Sequence, residues 1–198
     1  MQPARRKHST PTAVTDYLQL IDDRTGGPRS DTTPLFANAV AFRAVVDALL
    51  RQTARLNWNI VAGIDALGFA LGAALAARRG CGLVAIRKQG KLPVQGLSES
   101  YAHYMGGTEA LELRDGLLGA HDRVLIVDEW IETGGTVNAA ARLIEGSGAQ
   151  VAGIAAVHCD LPLQHPVFNR TAVIALRYPK GSYSEPGPRP RAPKTRSS

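Results

Sequence analysis

Cysteines, long apolar runs and internal repeats are scarce or missing in this chain of 198 residues. Its two cysteines, Cys81 and Cys159, lie in apolar contexts without metal-ligand spacing. That excludes a disulfide-stapled scaffold and predicts buried thiols in a reducing cytoplasm. No stretch approaches the roughly 18–20 apolar residues of a membrane span. The opening "MQPARRKHSTPT" carries basic residues with no apolar segment behind them, so neither a secretory signal nor a membrane partner is expected.

What is present is enough apolar sequence, 44% of the chain, for one domain with a full core, and a net charge of +6. The charge sits at the ends. Arg5, Arg6 and Lys7 at one end, and Lys180, Arg189, Arg191, Lys194 and Arg196 against Glu185 at the other, account for the excess and leave the middle close to neutral. Residues 1–12 and 180–198 are rich in Pro, Ser and Arg, which predicts disordered tails around a domain at 13–179. A specific nucleic-acid site is not expected.

Between the tails, "NIVAG" (59–63), "GLVAIR" (82–87), "RVLIVD" (123–128), "QVAGIAAV" (150–157) and "TAVIAL" (171–176) are continuous apolar runs, as in strands covered on both faces. Residues 39–56, 66–79 and 136–148 carry helical spacing. The alternation predicts an α/β fold, doubly wound, with a mainly parallel central sheet flanked by helices. Ligands bind such sheets beyond the carboxyl ends of the strands. One segment breaks the alternation: "KQGKLPVQGLSESYAHYMGGTEALEL" (88–113), whose length predicts a functional loop, with a plain surface hairpin as the alternative.

Polar residues collect at the strand ends, above all in "RVLIVDEWIETGGT" (123–136). A glycine-rich turn opening a helix directs backbone N–H groups and the positive end of the helix dipole at one point, which suits a phosphate. Thr133 and Thr136 add hydroxyls, and Gly134 and Gly135 allow close approach. The spacing matches neither a P-loop nor a dinucleotide-binding fingerprint. Upstream, the carboxylates of Asp128 and Glu129 can accept from a ribose diol, so strand and turn together suit a ribose 5-phosphate.

This apolar strand, its two acids and Thr-Gly-Gly-Thr resemble the signature of the type I phosphoribosyltransferases. The likeness runs over about residues 30–157, toward the adenine branch: "DTTPLFANAVAFRAVVDAL", "VAGIDALGFALGAALA" and "IRKQGKLP" all resemble its motifs. The resemblance implies a hood near 13–38 and a flexible catalytic loop at 93–109 that contains Tyr101, His103 and Tyr104. It implies that Asp128 and Glu129 hold the ribose hydroxyls of phosphoribosyl pyrophosphate (PRPP), and that Glu132 to Thr136 wrap its 5-phosphate. Asp65, Ala66 and Leu67 would form a pyrophosphate turn, often with a non-proline cis peptide, and Arg87, Lys88 and Lys91 would neutralise pyrophosphate. Mg²⁺ would be bound mainly through PRPP, with Asp128 as a protein contact, and relatives are usually homodimers.

The base pocket departs from the adenine pattern. Tyr104 or Met105 stands where the branch has a loop glutamate near purine N7, Arg29-Ser30-Asp31 replaces aromatic-Arg-Asp, and Leu67 replaces an arginine. In the hypoxanthine-guanine branch a third acid follows the acidic pair, and Glu132 occupies that position. Glu132 is therefore the candidate acid/base, the alternative being a side chain turned to solvent or paired with a basic residue. Arg29, Ser30, Trp130 and His158 are the candidate base-binding residues, with His103 a further candidate in the loop. The function implied is transfer of phosphoribose from PRPP to a purine or purine-like base, adenine first. The alternatives are a PRPP-binding regulator and an enzyme for a non-purine heterocycle.

Overall fold

The computed structural model describes residues 16–26, 29–102, 106–162 and 164–179. Both predicted tails, and His103 and Tyr104, lie outside the described residues. After a 3-10 turn at Asp16–Leu20, the elements in chain order are α1 (Thr33–Ala37), α2 (Ala39–Thr53), β1 (Ile60–Ile64), α3 (Leu67–Arg79), β2 (Gly82–Lys88), β3 (Gly96–Ala102), β4 (Thr108–Arg114), β5 (Arg123–Ile131), α4 (Gly135–Gly146), β6 (Gln150–Cys159), α5 (Val167–Arg170) and β7 (Val173–Arg177). They build one seven-stranded sheet of order β3-β4-β2-β1-β5-β6-β7. The five strands read as continuous apolar runs pair in parallel, and β5 lies between β1 and β6.

Helices cover both faces, so every central strand must be apolar on both sides. On one face, Val45, Leu49, Leu71 and Leu75 from α2 and α3 pack against Val61, Leu125 and Val127. On the other, Leu143 and Ile144 of α4 pack with Ala62, Ile126, Leu111 and Leu113. Asn38 caps α2 by accepting from the N–H groups of Val40 and Ala41, each at 3.0 Å. Cys159 is buried and Cys81 half-buried, both as free thiols, and burial pushes the Cys159 thiol up to about 11. Among the described residues no helix is long and apolar enough to cross a membrane.

The segment 88–113, expected as a functional loop or a surface hairpin, carries the two hairpin strands β3 and β4. β3 and β4 run antiparallel in register from Gly96↔Arg114 to Ala102↔Thr108, and β4 pairs antiparallel with the end of β2. In "GLSESYA" and "TEALELR" the inward residues Leu97, Tyr101, Leu111 and Leu113 alternate with polar ones. A search for continuous apolar runs passes over a strand with one wet face.

Two glycines set how closely the strand ends gather. A Cβ on Gly63 would lie 2.7 Å from the Gly68 carbonyl oxygen, and one on Gly68 would lie 2.6 Å from the Val127 oxygen and 3.3 Å from the Asp128 Cα. Backbone therefore meets backbone where β1, α3 and β5 converge, and the turn at Asp65 comes against Asp128. Gly68→Ala should cost about 1–3 kcal/mol in urea unfolding, as overpacking does. Gly119→Ala, where a Cβ meets nothing within 4 Å, should stay within about 0.5 kcal/mol of the parent.

Candidate active site

β5 continues past Asp128, pairing with β6 through Trp130↔His158 and Ile131↔Cys159. The chain then turns at Glu132–Gly134 and enters α4. Gly134, the residue before α4, has φ +78° and brings no side chain of its own to cap the helix. The first N–H groups of α4 are therefore left for an anion. An open cleft lies over this turn, and Asp65, Lys88, Asp128, Glu129, Glu132, Thr133, Gly134 and Thr136 all line it.

Asp128 is 8% exposed, and its Oδ1 accepts from the Glu129 N–H at 2.9 Å. Burial first, and the neighbouring Glu129 charge second, hold its carboxyl well above the usual range. Glu129 Oε1 accepts from Arg29 Nη2 at 2.8 Å, and the Arg29 guanidinium lies 5.9 Å from the Trp130 ring centre. Across the cleft the Asp65–Ala66 peptide is cis. Asp65 Oδ2 is 3.8 Å from Arg87 Nε, which is buried without a hydrogen-bond partner. Ala66 is exposed, Leu67 opens α3, and Lys91 is exposed on the turn after β2.

A family model described as phosphoribosyl transferase domain matches residues 36–167. Adenine phosphoribosyltransferase of an Arthrobacter species is 49% identical over 160 residues, 79% of this chain and 85% of that protein. The Rhodococcus jostii enzyme of the same name is 45% identical over 148 residues, 73% of this chain and 82% of its own. The chain belongs to the adenine-type phosphoribosyltransferases. A solved adenine phosphoribosyltransferase from Thermoanaerobacter pseudethanolicus superposes with a TM-score of 0.77 at 31% identity, covering 84% of this chain and 99% of that one. The mainly parallel sheet with its flanking helices is thus the fold of this family.

Within this phosphoribosyltransferase, the four residues expected at the base separate into two pairs. Arg29 and Trp130 line the cleft, but Ser30 and His158 do not. The Ser30 hydroxyl donates to Asp23 Oδ1 at 2.6 Å, and Asp23 in turn accepts from Arg177 Nη2 at 2.8 Å. His158 is 3% exposed, its ring centre is 4.0 Å from that of Trp130, and its Nε2 lies 2.8 Å from Asp160 Oδ1. Asp160 Oδ2 also accepts from Trp130 Nε1 at 2.6 Å. Burial lowers the His158 pKa, so the ring is held neutral, with its proton on Nε2 toward Asp160. His158 and Asp160 therefore brace Trp130, a role for which its place at a strand end carries no signal.

Tyr101, expected in the flexible loop, lies on β3. It is 8% exposed, lines the cleft, and donates to Glu109 Oε2 at 2.6 Å. Burial is the first cause, and the bond and charge of Glu109 follow, in raising its pKa above the usual tyrosine range. Glu109 itself was missed, and the cross-strand pairing Tyr101↔Glu109 in an alternating hairpin was the signal for it.

Among the described residues, no cluster of three or more His, Cys, Asp and Glu forms a ready cage for a metal. The hard carboxylate oxygens of Asp128 and Glu129 nevertheless suit Mg²⁺, which takes one or two carboxylates and completes its shell with substrate phosphates and water. The raised Asp128 carboxyl fits the same reading, because a cation would relieve the crowding of two adjacent acids.

A raised folded-state carboxyl has a defined sign in stability. The folded chain holds the Asp128 proton more tightly than the unfolded one, so stability is greatest below the ordinary Asp range and falls as pH rises from there toward the raised value. Asp128→Asn should therefore raise Tm at neutral pH by on the order of 2–4 °C. In thermal melts that gain should vanish as pH drops through about 3.8.

Proposed function

We propose that the protein transfers the 5-phosphoribosyl group of PRPP to adenine, releasing pyrophosphate and forming the nucleoside 5′-monophosphate, as in purine salvage. The observation that carries this is one cleft shared by the Asp128–Glu129 pair, the uncapped turn before α4 and the Asp65 turn, in a chain so similar to adenine phosphoribosyltransferases. Asp128 and Glu129 accept from the ribose hydroxyls. Thr133, Gly134, Gly135 and Thr136 take the 5-phosphate, and Asp65, Ala66, Leu67, Arg87, Lys88 and Lys91 face the pyrophosphate.

Arg29 donates to Glu129. The ribose diol takes its place there, freeing the guanidinium to stack beside Trp130 on the incoming base. As the bond from C1′ to pyrophosphate breaks, cationic character grows on the ribose and negative charge on the leaving group. Arg87 and Lys88 stabilise that anion by preorganised charge. Mg²⁺, held by Asp128 and Glu129 with the substrate, would add positive charge at the same place. Glu132 lines the cleft two residues beyond Trp130, and it holds a proton at purine N7 so that N9 attacks C1′. A cytoplasmic homodimer completes the proposal, supported by the two free thiols and by the habit of the family.

A second acceptor class has one observation in its favour: Trp130, braced by Asp160 and His158 and beside Arg29, would wall the base in place of the adenine branch's aromatic-Arg-Asp. A panel of adenine, hypoxanthine, guanine, xanthine and non-purine heterocycles, each with PRPP and Mg²⁺ and scored by pyrophosphate release, separates the readings. Adenine should give the highest kcat/KM. Release with a non-purine alone would reassign the acceptor, and PRPP binding without release from any base would mark a regulator. Glu132→Gln should lower kcat at least about 10²-fold, the lower end for a general acid or base, while the Kd for PRPP stays within about threefold. An unchanged kcat would remove Glu132 from the chemistry.

A further inference from the structure

The turn before α4 is bordered by a side chain from another part of the chain. His165 lies in the connection between β6 and α5, where its N–H donates to the Pro162 carbonyl at 2.8 Å and its own carbonyl accepts from Phe168 N–H at 3.0 Å. These bonds fix its backbone. Its Nδ1 accepts from the Val167 N–H at 3.3 Å. An imidazole nitrogen that accepts carries no proton, so the neutral ring bears its hydrogen on Nε2.

That edge of the ring faces the turn. A Cβ built on Gly134 would fall 2.9 Å from His165 Cε1 and 3.4 Å from Nε2. On its other side the turn meets the hairpin, where a Cβ on Gly135 would fall 3.0 Å from the Ala102 carbonyl oxygen and 3.3 Å from the Tyr101 ring. Among the described residues, only the His165 flank brings a ring N–H donor. The residues lining the cleft include Asp65, Glu109, Asp128, Glu129 and Glu132 against Arg29 and Lys88. His165 is not among the residues lining the cleft and borders the turn from outside them, against Gly134, so its ring N–H adds a donor beside a cleft whose acids make every further donor to an anion count.

We infer that His165 is a ligand of the 5-phosphate, donating from Nε2–H to a phosphate oxygen lodged on the turn at Gly134–Thr136. This rests on the proposed reading of that turn as the 5-phosphate site. It adds a donor from the segment after β6 to those of the turn itself. A hydrogen bond from a neutral donor to an ionised oxygen belongs to the stronger class.

The test uses the full chain and two ligands, ribose 5-phosphate and pyrophosphate, measured by calorimetry. His165→Phe keeps a planar ring against Gly134 and removes the donor. It should raise the Kd for ribose 5-phosphate about tenfold, the effect expected for one hydrogen bond to a charged group, and leave that for pyrophosphate unchanged. His165→Gln, whose amide nitrogen reaches the position of Nε2, should recover most of the loss. An unchanged affinity for ribose 5-phosphate in His165→Phe, or equal weakening toward both ligands, overturns the proposal. Should the Phe variant misfold, the parent protein labelled with ¹⁵N-histidine decides. The His165 Nε2 resonance should move with ribose 5-phosphate and not with pyrophosphate, and no movement overturns it as well. Failure of the parent to bind ribose 5-phosphate at all would instead bring down the reading of the turn.

Discussion

The buried carboxyl of Asp128 is the constraint around which the rest of the structure is arranged. It stands at the end of the central strand β5, with α3 so close that a Cβ on Gly68 would lie 3.4 Å from its Oδ1. An acid there, with a second acid next to it, opposes folding in the absence of a ligand. The fold tolerates it because strands on both sides and helices on both faces secure β5 independently. Sites that bind charge commonly carry such local costs, offset by the surrounding core. The same crowding explains the Arg29 bridge to Glu129, which neutralises the more exposed acid and leaves Asp128 for the ligand.

Around this point the other parts take their positions from backbone geometry. The Gly63–Gly68 contact brings the Asp65 turn to one side of Asp128, while the continuation of β5 delivers Glu132 and the uncapped turn to the other. The hairpin β3–β4 closes a third side through Tyr101 and Glu109, and α4 holds it there. Arg142 donates from Nε to Glu99 at 2.8 Å and from Nη2 to the Ser100 carbonyl at 2.9 Å. The helix that presents its first N–H groups to an anion thus also anchors the strand that borders the cleft. Above the base side, the Trp130–Asp160–His158 cluster is polar yet internally satisfied except at His158 Nδ1. It braces Trp130, which also lines the cleft.

The core strands were legible because parallel strands covered on both faces must be apolar throughout, and "RVLIVD" or "QVAGIAAV" can hardly be anything else. The helices were legible from period and from Gly80, which ends α3 at φ +75°. The hairpin was legible only as the alternative to a loop, because its apolar residues alternate with polar ones and form no continuous run. The contact of Asp23 with Arg177 was equally out of reach, since partners 154 residues apart share no local signal.

By itself, the sequence determined the chemistry available at each strand end: two acids followed by a glycine turn, basic residues at the end of β2 and just beyond it, a third acid at Glu132. Those assignments depend on local order, and local order is what a covalent chain specifies directly. Tertiary structure alone decided which side chains meet. It turned Arg29 onto Glu129, placed His158 and Asp160 behind Trp130 rather than at the cleft, and set His165 against Gly134. Such pairings depend on the packing of elements far apart in the chain, where backbone approach at two glycines and the burial of a few aromatic rings choose among many partners that are equally available in sequence.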